Sequence, residues 1–150
     1  MTPSNRIQWL SDLIRVEIAL WERIDARLRQ EHSLSLAFFE TLYFVGCAPE
    51  GTLRVGDLAR AVGITVGAAS KLVDRVEAAG LIRREADAED RRASRVALTD
   101  AGREALAVAS ATYMAAAAAA LDPALSADEQ QQMHSFVKRL LSTVSNGGAA

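Results

Sequence analysis

The side chains that could do chemistry are concentrated in one third of the 150 residues. Between Arg54 and Arg103 lie ten Lys or Arg and eight Asp or Glu, a net +2 inside a chain whose overall charge is −2. A local cationic surplus of this kind suits phosphate, whereas the chain average alone would argue against a polyanionic partner. Thr65, Val66, Gly67, Ala68, Ser70 and Lys71 open a run with helical spacing, and the N-terminal end of such a helix is the part that reaches base edges. Ser70 and Lys71 supply hydrogen bonds there, Val66 or Ala68 apolar contact with a thymine methyl, and Gly67 close backbone approach. Their small size predicts modest direct readout. Arg75, one turn on, and Arg54, at the start of the preceding helix, are placed to hold phosphates. Arg92 lies in a charged segment between two strand-like runs, where a guanidinium can enter a narrow minor groove. Arg91 and Arg95 read either as phosphate contacts or as plain exposed residues. The competing reading of all these positions is a solvated helix face and a hairpin carrying ordinary surface ion pairs.

Other chemistries find less support. One cysteine, Cys47, excludes an internal disulfide, and with Gly46 and Ala48 beside it and Glu50 as its nearest charge it reads as a small apolar residue, not a reactive thiolate. His32 and His134 would need a carboxylate such as Glu129 to gather around a metal, and no close ligand spacing supports that, so no metal and no cofactor are expected. No nucleophile, base and orienting group can be argued together, and no Gly-rich loop follows a strand, so an enzyme is the least supported class.

The elements that must position these residues follow from periodicity. Half of the residues are apolar and 24% charged, the balance of one globular domain. Leu10, Ile14, Trp21, Ile24 and Leu28 predict a long first helix over about 7–30, reaching roughly 35 Å, more than a compact domain needs, so it is expected to pack against something outside its own domain. A second helix is expected over Leu34–Val45, capped by Ser35 and stopped by the turn Ala48 to Gly51. Val55–Val62 and Val66–Ala79, separated by Gly63, Ile64 and Thr65, form a helix-turn-helix pattern whose facing sides are Leu58, Ala59, Val62 and Ala69, Leu72, Val73, Val76. Gly80 ends the pair. Two strand-like runs, 82–86 and 94–98, predict a hairpin with a charged tip. Thr99 caps a helix over Asp100–Leu121, which Asp122 and Pro123 break, and Ser126 to Glu129 form a capping box before a last amphipathic helix. Disorder is expected only in 145–150. The longest unbroken apolar run, Met114–Leu121, falls far short of the roughly 20 residues that span a bilayer, and the first residues lack a signal-peptide core, so a cytoplasmic protein without membrane contact is expected.

Residues 54–103 resemble winged-helix regulators of the multiple antibiotic resistance regulator (MarR) family. Arg54 to Ala59 is similar to the opening of that family's first helix-turn-helix helix, and Ser70 to Glu77 to its recognition helix. Asp90, Arg91 and Arg92, with Leu98 and Thr99 six and seven residues beyond Arg92, fit its wing signature, followed by Asp100, Ala101, Gly102 and Arg103. The terminal helices agree with the family by length and order only. The resemblance implies a mainly α winged helix-turn-helix fold with a β-hairpin wing, and a homodimer whose terminal helices (7–34 and 100–145) interlock around a DNA-binding lobe, 53–99. It also implies that Asp90 braces a wing arginine, and that an aromatic or phenolic effector sits in a crevice whose candidate lining is Trp21, His32, Phe39 and Tyr43. Taken as residues alone, the three aromatics read as packing and His32 as a solvated loop residue. The expected function is a homodimeric repressor of a pseudo-palindromic double-stranded DNA operator. A sequence-tolerant architectural DNA binder and a helical protein-interaction module are the alternatives.

Overall fold

Proline's fixed φ suits the first turn of a helix, and its missing N–H is not needed there. The chain accordingly enters α1 (Pro3–His32) at Pro3, with the Thr2 hydroxyl accepting the Asn5 N–H at 3.3 Å. The computed structural model describes residues 2–90 and 92–146, with backbone alone for Ser145 and Asn146. At thirty residues α1 outruns its expected span at both ends, and it stops where Ser33 turns left-handed at φ 52°. The Asp25 carboxylate then accepts the Leu36 N–H at 2.8 Å and the Arg29 Nε–H at 2.6 Å, tying the last turns of α1 to the start of α2 (Leu36–Gly46). Ser35 caps α2, its hydroxyl accepting the Phe38 N–H.

A three-residue strand, β1 (Thr52–Arg54), leads directly into α3 (Val55–Val62), and this strand has no counterpart in the sequence-based expectation. Three residues are too few to show a period of two, and Arg54 also serves as the N-cap position of α3. Gly63 closes α3 at φ 76°, in the left-handed region that favours glycine, and Thr65 caps α4 (Val66–Ala78) by accepting the Ala68 N–H at 3.1 Å. β2 (Ile82–Ala86) and β3 (Ser94–Leu98) form the hairpin, and β1 pairs antiparallel with the other edge of β3, giving the order β1-β3-β2 with Arg54 opposite Arg95. The wing is therefore a three-stranded sheet and not a bare hairpin.

Thr99 caps α5 (Asp100–Leu121), accepting the Gly102 N–H while its own hydroxyl donates to the Gly80 carbonyl at 2.6 Å. Gly102 is required there, because a Cβ at that position would stand 1.9 Å from the Leu81 carbonyl oxygen. α6 (Ala127–Asn146) opens with the expected box: Ser126 N–H and hydroxyl both donate to the Glu129 carboxylate. Ser145 and Asn146 continue this helix against the expectation of disorder, and 147–150 lie outside the described residues.

The core joins the end of α1 to α2, the helix-turn-helix and the sheet, with Leu28, Leu42, Leu58, Val73, Val76 and Val96 fully buried. Of the seven helix-turn-helix side chains expected to face each other, only Val62 stays half-exposed. α5 is long and apolar enough to cross a membrane by length and composition, its mean hydropathy reaching 1.4 over 18 residues, well beyond the run Met114–Leu121. Much of that hydropathy comes from alanine, and in this fold the helix packs against α1, α2 and β3.

Candidate nucleic-acid interface and ligand crevice

Charge on the winged helix is far less uniform in space than in sequence. Six of the ten basic residues between Arg54 and Arg103 are matched by acids: Arg54 by Asp87 and Glu89, Arg60 by Asp57, Arg83 by Glu85, Arg84 by Asp74 and Glu77, Arg95 by Glu50 and Asp87, and Arg103 by Asp100. Arg91 lies outside the described residues. Lys71, Arg75 and Arg92 remain, and among the described residues no acid pairs with them. Lys71 and Arg75 are exposed on α4, with the Arg75 guanidinium 5.9 Å from the centre of the Phe38 ring, and Arg92 is exposed at the wing tip. Among the described residues, the segment's unpaired cations thus sit on two projecting features. Ahead of Lys71 on the same helix, Thr65, Val66, Gly67 and Ala68 are exposed and Ser70 half-buried, while Ala69 points into the core. Ile64, in the turn, is also exposed; the sequence assigned it no role, because a turn residue between two helices shows no facing.

The geometry bears on the readings of two arginines and one acid. Arg54 is held at 2.7 Å by the Asp87 carboxylate, so in the free chain its charge is already paired inside the wing. Arg95 is half-buried, not simply exposed: its guanidinium bridges the Thr52 hydroxyl at 2.8 Å and the Glu50 carboxylate at 3.1 Å, fastening β1 to β3. Among the described residues, the acid that braces wing arginines is Asp87. Asp90 Oδ1 accepts the Arg92 backbone N–H at 2.9 Å, whereas buried Asp87 takes Arg54, lies 3.6 Å from Arg95, and accepts the N–H groups of Glu89 and Asp90. The Arg54 hydrogen bond, followed by the Glu89 N–H, pushes the Asp87 carboxyl down to about 2. Its position three residues before Asp90 in an acidic run hid it, since spacing does not reveal which acid of a turn points inward.

The four crevice candidates do not share one cavity. His32 is the last residue of α1, not a loop residue, and lines an apolar cavity of about 250 Å³ with Leu34, Phe38, Ala79, Leu81 and Val108, where the helical region meets the winged helix. The Thr112 hydroxyl donates to Glu31 at 2.7 Å, so the His32 Nε2–H must donate to that same oxygen, 2.8 Å away. Phe39 and Tyr43 line a second cavity of about 330 Å³ between α2 and α5 together with Glu40, Phe44, Ser110, Tyr113 and Met114. Phe39 is buried and stacks on Tyr113, ring centres 4.9 Å apart. Trp21 lines a third, a groove of about 590 Å³ between α1, α5 and α6. Glu40 and Tyr113, which sequence reasoning missed, line both the second and the third. Burial pushes both the Glu40 carboxyl and the Tyr113 phenol up, the latter helped by the Glu40 charge. Cys47 is exposed at the end of α2, not packed as an apolar residue would be.

Residues 32–93 match the sequence model of the MarR family, a span running from the end of α1 through the helix-turn-helix into the wing. Solved structures of the same fold cover nearly the whole chain. Sco3205, a MarR family transcriptional regulator from Streptomyces coelicolor solved in complex with DNA, is 24% identical at a TM-score of 0.85, over 96% of this chain and 93% of that one. A mutant of MarR from E. coli, complexed with operator DNA, is 21% identical at 0.79, over 94% and 99%. A probable transcriptional regulator from Pseudomonas aeruginosa is 26% identical at 0.73, over 93% and 99%.

Proposed function

We propose that the chain is a MarR family member acting as a homodimeric, sequence-specific, DNA-binding transcriptional regulator, cytoplasmic, and as a repressor released by a small aromatic effector. The observation that carries this reading is that, among the described residues of the winged helix, the cations without an acid partner are Lys71 and Arg75 on α4 and Arg92 at the wing tip, beside an exposed first turn of α4. α4 would enter a major groove, Thr65 to Lys71 foremost, with Arg75 on phosphate and Arg92 in the adjacent minor groove. Residues 53–99 are the DNA-binding lobe, and the helices over 7–34 and 100–145 join two copies. Two-fold symmetry then calls for a pseudo-palindromic operator with half-sites about one helical turn apart. An effector that prefers lobes spaced wrongly for consecutive major grooves lowers DNA affinity by that difference in preference. The DNA complexes of Sco3205 and E. coli MarR support the DNA arm by similarity of fold.

Binding of the purified protein to its own upstream intergenic DNA and to random duplex, at about 150 mM salt where non-specific affinity is weak, tests the proposal. Preference of about a thousandfold, lost in Arg92→Ala, is expected. The small exposed residues Gly67 and Ala68 favour one alternative, a sequence-tolerant architectural binder. Equal affinity for both duplexes would establish it instead.

A further inference from the structure

The DNA reading leaves one half-buried acid of the helical region without a role. Glu40 on α2 is half-buried and makes no hydrogen bond or ion pair among the described residues; burial is the one influence that shifts it. It lines two openings at once, the α2–α5 cavity of about 330 Å³ and the groove of about 590 Å³, and no Lys, Arg or His lines either; Glu17 is the other charged residue, on the groove. Aromatic rings wall the smaller cavity. Phe39 and Tyr113 are stacked at 13°, and Tyr43 meets Phe44 edge-on with ring centres 5.4 Å apart.

These features select a ligand by charge. A carboxylate against apolar walls without a partner is a costly arrangement that an incoming hydrogen-bonding cation relieves. Ring faces are negative and attract cations, and the Met114 thioether is polarizable and adapts to an apolar body. A carboxylate or phenolate ligand would instead meet Glu40 with like charge and find no counter-charge in the wall. The cavity volume lies at the lower end of the range for small-molecule sites. We infer that the pocket between α2 and α5 binds a protonated amine carried on a flat apolar body, with Glu40 as its counter-ion. Only the consequence for DNA rests on the regulator reading; the binding step does not.

Calorimetry on the full chain without DNA tests the inference with three probes that share an indole body: tryptamine, tryptophol and indole-3-propionate, bearing an ammonium, a hydroxyl and a carboxylate. Tryptamine should bind at least about tenfold tighter than tryptophol, with no heat from indole-3-propionate. Glu40→Gln, close in shape, should erase the preference for tryptamine over tryptophol, and Tyr43→Ala should weaken both. Equal affinity for all three probes, binding of none, or a preference that survives Glu40→Gln would overturn the inference. If Glu40→Gln melts below the wild type, the wild-type probe series decides alone. A protein that prefers tryptamine but binds no DNA specifically would overturn the regulator reading and leave the pocket standing. Specific DNA binding without amine preference would do the reverse.

Discussion

Asp87 is the residue on which the wing's geometry converges, because one buried carboxylate gathers a guanidinium from β1, approaches another from β3, and caps the N–H groups of its own turn. Its carboxyl sits at about 2 against an ordinary 3.8. A depressed acid contributes stability that is fully present above its unfolded value and lost as pH falls through its folded value. Acid unfolding followed by circular dichroism should therefore show a loss between about pH 4 and pH 2 that is reduced in Asp87→Asn, the variant being less stable at neutral pH and closer to the wild type below pH 2. Lys71 belongs to the opposite category, an exposed cation with no acid paired to it among the described residues. Lys71→Ala should weaken DNA binding and lower the slope of log affinity against log salt by about 1. Arg60→Ala, which removes a cation already paired with Asp57, should leave the slope unchanged. Equal slopes for the two variants would mean that pairing in the free protein does not decide which cations meet phosphate.

At the scale of elements, caps and breaks were legible because they are local. Ser35, Thr65, Thr99 and Ser126 each stand at the helix start their types announced, since a hydroxyl three residues before an orphan N–H needs nothing from the rest of the chain. β1 was not legible, because its stability comes from pairing with β3 more than forty residues away. The seat of α5 is likewise a matter of contact between elements. Gly102 lets the first turn of α5 lie against the Leu81 carbonyl, and Gly102→Ala must push that turn away from the backbone leading into β2. A loss of about 1–3 kcal/mol in urea unfolding is expected, the usual range for overpacking. An unchanged midpoint would mean that the α5 start yields without cost.

The whole molecule leaves a large apolar surface unsatisfied. Ile7 and Ile14 on α1, and Phe136, Leu141 and Val144 on α6, are more than half exposed, and the groove between these helices and α5 is lined almost wholly by apolar side chains. Surfaces of this kind mark association. In the proposed dimer α6 is where one copy grips the other, so Leu140→Glu should halve the mass measured by light scattering. It should also weaken operator binding, because two linked half-sites bind more tightly than one. A variant that keeps the wild-type mass would exclude α6 from the interface.

The sequence by itself determined the periodic helices, their caps, the helix-turn-helix pair, the hairpin and the cationic segment between Arg54 and Arg103, because each rests on spacing within a turn or two of chain. The wing signature carried the family resemblance for the same reason. Tertiary structure alone decided which cations are spent and which are free, since Arg54 and Arg95 find their acids only when β1 is laid beside β3. It also dispersed Trp21, His32, Phe39 and Tyr43 into three cavities and brought Glu40 to the wall of two. Burial and pairing are properties of contacts between distant segments, and no local pattern encodes which side of a helix its neighbour will cover.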